Sequence, residues 1–498
     1  MCCRSGSGRK ANLSRRRGGA LRPLEASVSD PLKLVEAVRA RLGPKAVLTD
    51  PADIEPWATD WRGRWHGKSV AILQPSSTEE VAAIVALASE NGVPLVPQGG
   101  NSSMVGGATP PADGSALILS LRRMNRIRSI DRGAMRAVAD AGVILQSLHE
   151  AALEHGLRFP LTLGAKGSAT VGGLISTNAG GTQVLRFGPM RALADGIEAV
   201  LPDGTVHDGL TGLKKDNRGY SLDQLLVGAE GTLGIVTAAR LKLVPAIHLR
   251  AVAWLGLSSP QKALDTLRAL EADTDRIEGF EILPQESLDA ALRHIPGTRA
   301  PLDSRHEWHA LVEATTHGAD AEPPAELLTR LLAPLVERGV VENATISATE
   351  AQAEAFWRIR DSLSEAERAA FGPATQHDIS VAVEDMPLFM AEAAAEVERA
   401  FPGTSASGFG HLGDGNIHFH VRAGTRGGPD WLEQEGNAVQ WLVDDLVIAA
   451  GGSISAEHGI GVMKRDELAR LQPDRVRHLR AIKAALDPKG LMNPGKLV

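Results

Sequence analysis

Two glycine-dense stretches decide the fold. The first is Pro97-Gln98-Gly99-Gly100-Asn101-Ser102-Ser103-Met104-Val105-Gly106-Gly107. The second is Gly164-Ala165-Lys166-Gly167-Ser168-Ala169-Thr170-Val171-Gly172-Gly173, continuing through Ser176-Thr177-Asn178-Ala179-Gly180-Gly181. Glycine lets the backbone approach an anion and aim successive N–H groups at it, and the interleaved Ser and Thr hydroxyls add donors. Neither stretch matches the G-x-G-x-x-G that opens a Rossmann helix, nor a phosphate loop ending in Lys-Ser/Thr. Two such loops in one domain, with Gly228-Ala229-Glu230-Gly231-Thr232-Leu233-Gly234 as a third, suit a pyrophosphate held between them.

Outward from these loops the chain reads as alternating α and β. A strand at 69–73 precedes a helix with Ser77 and Thr78 at its N-terminus and Val81, Ile84, Val85 and Ala88 at helical spacing; Asn91-Gly92 stops it. A second strand at 93–96 delivers the chain into the first loop. Further on we read a strand at 136–139, a helix at 145–154, a strand at 196–201 before Pro202-Asp203-Gly204, and two strands at 234–238 and 240–244. From about 246 the texture becomes strands with Ala/Leu/Glu-rich helices at 260–272, 324–338 and 385–399, and a loop at 317–324. A last helix is expected at 474–486. The division is a basic tail at 1–29, a nucleotide-binding domain at 30–245, an α+β domain at 246–450 and a C-terminal segment at 451–498.

Composition excludes several classes. The 498 residues are 43% apolar and 23% charged, which are globular values, and a net charge of −7 argues against a nucleic-acid partner. No run of 18 apolar residues predicts a membrane span. The only cysteines are Cys2 and Cys3, so a metal would have to be held by His and carboxylate. Arg4, Arg9, Lys10, Arg15, Arg16, Arg17 and Arg22 precede the first acid, Glu25. This reads as a disordered tail, or a start codon placed too early, on a cytoplasmic protein, with a transit peptide leading to the mitochondrial matrix as the alternative.

The sharpest chemistry lies in Gly410-His411-Leu412-Gly413-Asp414-Gly415-Asn416-Ile417-His418-Phe419-His420. Asp-Gly between two alternating runs signals a two-residue hairpin turn. With Asp414-Gly415 as that turn, His411 stands directly opposite His418, their Cβ atoms roughly 5 Å apart, close enough to share a divalent ion. Glu457-His458 in a glycine-bounded turn adds a carboxylate and another imidazole. A His, His, Glu set leaves coordination positions open for substrate oxygens. In the helix predicted at 356–364, Arg360 and Ser364 are four apart and share a face.

Taken in order, PQGGNSSMVGG, PLTLGAKGSATVGGLISTNAGG, LPDG, KKDNRGYSLDQLLVGAEGTLGIVT and LDPKGLMNPGK resemble the vanillyl-alcohol oxidase / p-cresol methylhydroxylase class of flavoproteins. Within it they are similar to the FAD-linked D-2-hydroxy acid dehydrogenases. The resemblance spans about residues 45–498. It implies an α+β chain: a two-subdomain p-cresol methylhydroxylase-type FAD-binding domain, an α+β substrate (cap) domain and a short C-terminal segment that completes the active site. It implies that Gly99, Gly100, Asn101, Ser102, Ser103, Gly106 and Gly107 wrap the FAD pyrophosphate. Pro160, Gly164, Gly167, Ser168, Gly172, Gly173, Thr177, Asn178, Gly180 and Gly181 would line the flavin ring and ribityl chain. Glu230, Gly231 and Ile235 would hold the adenine half, with Asn493 also at the cofactor. Asn101 stands where some relatives carry a histidine that binds FAD covalently, so the FAD is expected to be dissociable.

The same resemblance makes His411, His418 and Glu457 the ligands of a divalent metal, expected to be zinc, and His458 the base. It assigns Arg360 and Ser364 to substrate carboxylate. Gln376 and His420 also belong to the substrate site, where relatives carry Lys and commonly Asn, and Ala382 replaces a usual Pro. The implied reaction oxidises a small D-2-hydroxy acid, 2-hydroxyglutarate-like or D-lactate, to the 2-keto acid. Electrons then pass to a quinone, a cytochrome or an electron-transfer flavoprotein, and a homodimer is compatible with this. Two other classes are a metal-dependent hydrolase of a phosphorylated ligand and a flavin-binding subunit of an electron-transfer complex.

Overall fold

The computed structural model describes residues 30–428 and 430–498. The basic tail, with Cys2, Cys3 and the targeting reading attached to it, lies outside the described residues. Among the described residues no helix is long and apolar enough to cross a membrane.

The helix Thr78–Asn91 forms as its pattern dictates. Ser77 Oγ accepts from Glu80 N at 3.3 Å, Val81, Ile84, Val85 and Ala88 are buried, and Gly92 ends the helix at φ 63°. It lies beside a four-stranded sheet ordered Val47–Leu48, Ile72–Leu73, Leu117–Ser120, Leu95–Gln98, whose last three strands run parallel. The first glycine loop therefore leaves from the end of an edge strand.

A five-stranded antiparallel sheet follows, ordered Ile127–Asp131, Arg136–Asp140, Ile235–Lys242, Ala194–Val200, Val206–Asp208. The two strands expected at 234–238 and 240–244 are one strand, Ile235–Lys242. A bulge between Val236 and Ala238 takes up the extra residue, so the pairing continues through what reads in sequence as a break. Only Val244–Pro245 is separate, paired with Leu157–Arg158.

Residues 249–422 build a seven-stranded antiparallel sheet ordered Asn343–Ile346, Leu249–Leu257, Trp308–Thr316, Ile277–Pro284, Ser405–His411, Asn416–Arg422, Ala374–Ser380. Strand alternation sends Ala253 and Leu255 to one face and Val252 and Trp254 to the other. The first face is covered by the helices Pro260–Asp273, Pro324–Glu337, Met386–Ala400 and Gly436–Ala449, the second by Gln285–His294, Glu350–Asp361 and Leu363–Phe371. The helix expected to run unbroken through 356–364 is interrupted at Ser362, whose Oγ bonds back to Arg358 O at 2.8 Å.

The last segment stitches the two halves together. Ile454, Leu468 and Val476 join the core of the large sheet, while Met492 joins the core of the first half. Leu95 N donates to Leu491 O and Asn493 N to Leu95 O, both at 2.8 Å, extending the first sheet with residues almost 400 positions away.

The hairpin register differs from expectation. His411 pairs with Asn416, and Phe409 pairs with His418, around a four-residue turn at 412–415. Leu412 leaves the strand for the core, fully buried, and Asp414 Oδ1 closes the turn by accepting from Asn416 N at 3.0 Å. The slip is two residues, an even number, so side chains keep their faces. His411 and His418 become diagonal neighbours, with ring centroids 5.6 Å apart.

Candidate active site

The glycine loops enclose a cavity of about 450 Å³. Gly99, Gly100, Asn101, Ser102, Ser103, Gly107, Gly164, Gly172, Gly173, Thr177, Gly180, Glu230, Gly231 and Ile235 stand on its wall. Gly106, Pro160, Gly167, Ser168, Asn178, Gly181 and Asn493 stand outside that wall. Loop-on-loop packing explains the double glycine: a Cβ on Gly100 would lie 1.8 Å from Ser168 O, and one on Gly99 2.1 Å from Thr170 Oγ1. Gly164, by contrast, faces open space. Two polar atoms on this wall, Gln98 Oε1 and Thr170 Oγ1, are buried without a hydrogen-bond partner. Buried polar atoms need partners, so this wall suits a cofactor that, like FAD, carries polar groups able to meet these two points.

Glu230 does more than line the wall. Its carboxylate accepts from Ile460 N at 2.7 Å and Gly461 N at 2.8 Å, so it pins the C-terminal turn to the cavity. Burial raises its pKa from the ordinary value. Asn493 Nδ2 donates to Gly107 O and Glu230 O at 2.9 and 2.6 Å, tying two glycine loops together from behind.

At one end of the cavity that turn presents Glu457 and His458. The structure brings His411, His418 and Glu457 together, with one ligand atom of each lying within 4.8 Å of the others. His411 Nδ1 is held by Glu281 Oε1 at 2.6 Å, which directs Nε2 toward Glu457 Oε1, 3.9 Å away. Such an outer carboxylate orients a ligating imidazole. Burial drives the His418 pKa well below its ordinary value, keeping the ring neutral with a lone pair to offer. Burial also raises Glu457 to about 6. Two imidazoles and one carboxylate, with no thiolate, fit zinc or a similar borderline cation.

His458 Nδ1 lies 3.2 Å from Asp378 Oδ2, and that oxygen also accepts from Glu457 N and His458 N, each at 3.0 Å. Burial alone would raise the Asp378 carboxyl, but His458, Lys464 and the hydrogen bond from Glu457 N hold it well below the carboxylate range. An ionised Asp378 favours the proton on Nδ1 and leaves Nε2 of His458 as an acceptor. Burial in turn lowers His458, with Asp378 opposing.

Arg360 is buried against His411. Its Nε donates to Glu281 Oε2 at 2.8 Å and an Nη donates to His411 Nε2 at 3.1 Å, the nitrogen that faces Glu457, so a metal ion held there would take the place of that contact. Ser364 is exposed on the next helix, beyond the break at Ser362, so the two are not brought together. Gln376 and His420 are register partners and face a second cavity of about 690 Å³, which shares Trp61 with the first.

Sequence reasoning missed Asp378 and Glu281. Asp378 carried a usable signal, since it alternates with Gln376 on a segment already suspected. Glu281 carried none, lying 130 residues from the imidazole it orients.

Comparisons with known proteins bear on the fold, the cofactor and the family. Residues 70–209 match the FAD binding domain model, and residues 248–497 match the C-terminal domain of FAD linked oxidases. Among solved structures, p-cresol methylhydroxylase with substrate bound superposes with a TM-score of 0.70 at 16% identity, covering 94% of this chain and 96% of that one. Alkyldihydroxyacetonephosphate synthase superposes at 0.67 and 18%, covering 95% and 86%. These likenesses define the class, a mixed α and β flavoprotein with the p-cresol methylhydroxylase-type FAD-binding fold.

Curated relatives narrow it. The mitochondrial D-2-hydroxyglutarate dehydrogenase of Arabidopsis thaliana is 35% identical over 480 residues, 96% of this chain and 83% of that protein. The D-2-hydroxyglutarate dehydrogenase of Xanthomonas citri is 36% identical over 94% of this chain and 97% of its own length. The chain belongs to the FAD-linked D-2-hydroxy acid dehydrogenase family and is an FAD-dependent oxidoreductase. The hydrolase and the non-catalytic flavin-subunit readings fall with that membership.

Proposed function

We propose that this chain oxidises a D-2-hydroxy acid, a 2-hydroxyglutarate-like diacid ahead of D-lactate, to the 2-keto acid. His458 is the base, and His411, His418 and Glu457 hold a divalent metal, zinc by the chemistry of the set. One observation carries the reading: that donor set and an Asp-oriented imidazole meet at the end of the FAD cavity. The relatives' names support the substrate class. Residues 30–245 then hold the cofactor, 246–450 form the cap, and 451–498 bring in Glu457 and His458.

The chemistry divides simply. Bound FAD supplies a sink for the hydride from C2, and a bound metal supplies a Lewis acid for the 2-oxygen. His458 Nε2 takes the hydroxyl proton while Asp378 stabilises the imidazolium through Nδ1. Glu281 fixes His411, and Gln376 and His420 face the rest of the substrate. With no histidine in the first glycine loop the FAD is dissociable. Electrons leave for a separate quinone, cytochrome or electron-transfer flavoprotein, in the cytoplasm or, with a functional transit peptide, in the mitochondrial matrix.

The test is an anaerobic visible spectrum of FAD- and zinc-replete protein before and after D-2-hydroxyglutarate, then D-lactate. Bleaching by a D-acid and not by its L-enantiomer is expected. A flavin spectrum that no 2-hydroxy acid bleaches overturns the proposal.

A further inference from the structure

The second cavity carries more positive charge than its place in the sequence suggests. Arg62 and Arg64 reach it from the first half, Arg368 from the helix Leu363–Phe371, and Arg422 from the central hairpin. Arg422 is already committed: its guanidinium bonds Glu286 Oε1 at 2.7 Å, lies 3.2 Å from Glu367 and stacks 3.8 Å from the Phe371 ring. The one carboxylate on the wall, Glu367, is likewise taken, by His420 at 2.7 Å and by Ser287. Arg62, Arg64 and Arg368 have no ion-pair partner among the described residues.

Like charges gathered together repel one another, and a visiting anion relieves that repulsion. Burial, reinforced by Arg64 and Arg368 and opposed by Asp60, lowers the Arg62 pKa, while Arg64 and Arg368 are exposed and open to an incoming anion. The position is also informative. Asp378 and His418 are register partners beside the base, and Gln376 and His420 are the next same-face pair along these strands. Two residues of strand span roughly 6.5 Å, about the separation of the two carboxylates on a short dicarboxylic acid.

We propose that Arg62, Arg64 and Arg368 form the subsite for the distal carboxylate of a 2-hydroxy diacid and set the preference for diacid over monoacid. This rests on the reading under Proposed function. The charge that the resemblance places on the cap strand, as a lysine at position 376, is here delivered mainly from the flavin-binding half and an adjoining helix. A guanidinium offers a carboxylate a two-pronged bond that an ammonium cannot, while Gln376 contributes a neutral donor beside it.

The experiment uses the FAD-loaded protein and the variants Arg62→Gln, Arg368→Gln and the double variant, each checked for undiminished flavin content. Steady-state kcat/KM is measured with an artificial acceptor for D-2-hydroxyglutarate and for D-lactate. Charged hydrogen bonds of this kind predict a fall of roughly 10- to 100-fold in the diacid-to-monoacid ratio of the double variant, carried by KM. A ratio that does not move, or two activities that fall together, overturns the inference and leaves the oxidation standing. Calorimetric titration with glutarate and butyrate, neither oxidisable at C2, separates the two failures. Glutarate binding that depends on the arginines supports the subsite even if no 2-hydroxy acid bleaches the flavin. Glutarate that binds no better than butyrate, or equally well to the double variant, sinks it.

Discussion

Replacing Glu281 by Gln tests whether the histidine cluster is built from outside in. Glu281 is 1% exposed, accepts from Arg360 Nε at 2.8 Å and His411 Nδ1 at 2.6 Å, and has its pKa lowered to about 2. Burial by itself would raise that value; Arg360 and His411 more than reverse it. A drop from 4.5 to about 2, at 1.36 kcal/mol per unit, corresponds to roughly 3 kcal/mol of stability. Removing one partner of a buried ion pair independently costs about 3–5 kcal/mol, because the other is left charged and uncompensated. The two routes agree, so Glu281→Gln is expected to lose about 3 kcal/mol in urea unfolding of chelator-treated protein at pH 7. Because the folded-state pKa is depressed, this stabilisation is complete above about pH 4.5 and drains away toward pH 2, so the gap to wild type should narrow on acidification. Zinc affinity should also fall about 10- to 100-fold, since His411 loses the carboxylate that aims it. A loss below about 1 kcal/mol at pH 7, with unchanged zinc affinity, would refute the reasoning.

Three other outcomes are expected. His458→Asn should slow flavin bleaching by the D-acid roughly 10²- to 10⁴-fold in stopped flow while the bound FAD spectrum stays intact. Glu230→Leu should cost about 2–4 kcal/mol in urea unfolding by stranding the Ile460 and Gly461 amides, and should expose the turn at 455–461 to limited proteolysis. His309, whose Nδ1 accepts from Trp254 Nε1 at 3.1 Å, is lowered to about 4 by burial and by nearby His306. Its stabilisation is therefore full above pH 6.5 and lost as pH falls toward 4, and the melting temperature of His309→Gln should decline less over that window than wild type.

What the sequence disclosed was what is local. Glycine density marks the loops because close backbone approach needs glycine at the contact itself, and the helices at 78–91 and 145–154 carry their own periodicity. The His411–His418 proximity survived a wrong register only because the slip was even. The break at Ser362 escaped because a serine side chain bonding its own helix is no rarer in sequence than one that does not. Asp378 and Glu281 become meaningful only once strands distant in sequence lie side by side.

The return of the chain's end to its beginning has a consequence for synthesis. The edge strand Leu95–Gln98 receives its pairing from residues 491–493, and Glu230 receives its amides from residues 460 and 461. At about 5–20 residues per second, that edge waits roughly 20 s to more than a minute on the ribosome for its partner, and that carboxylate roughly 10 to 45 s for its amides. The nascent protein thus carries an open sheet margin through most of its translation, and the flavin compartment is sealed by the last residues to emerge. Cofactor loading should accordingly be a post-release event, and stalled chains lacking residues 450–498 should be chaperone clients that carry no flavin.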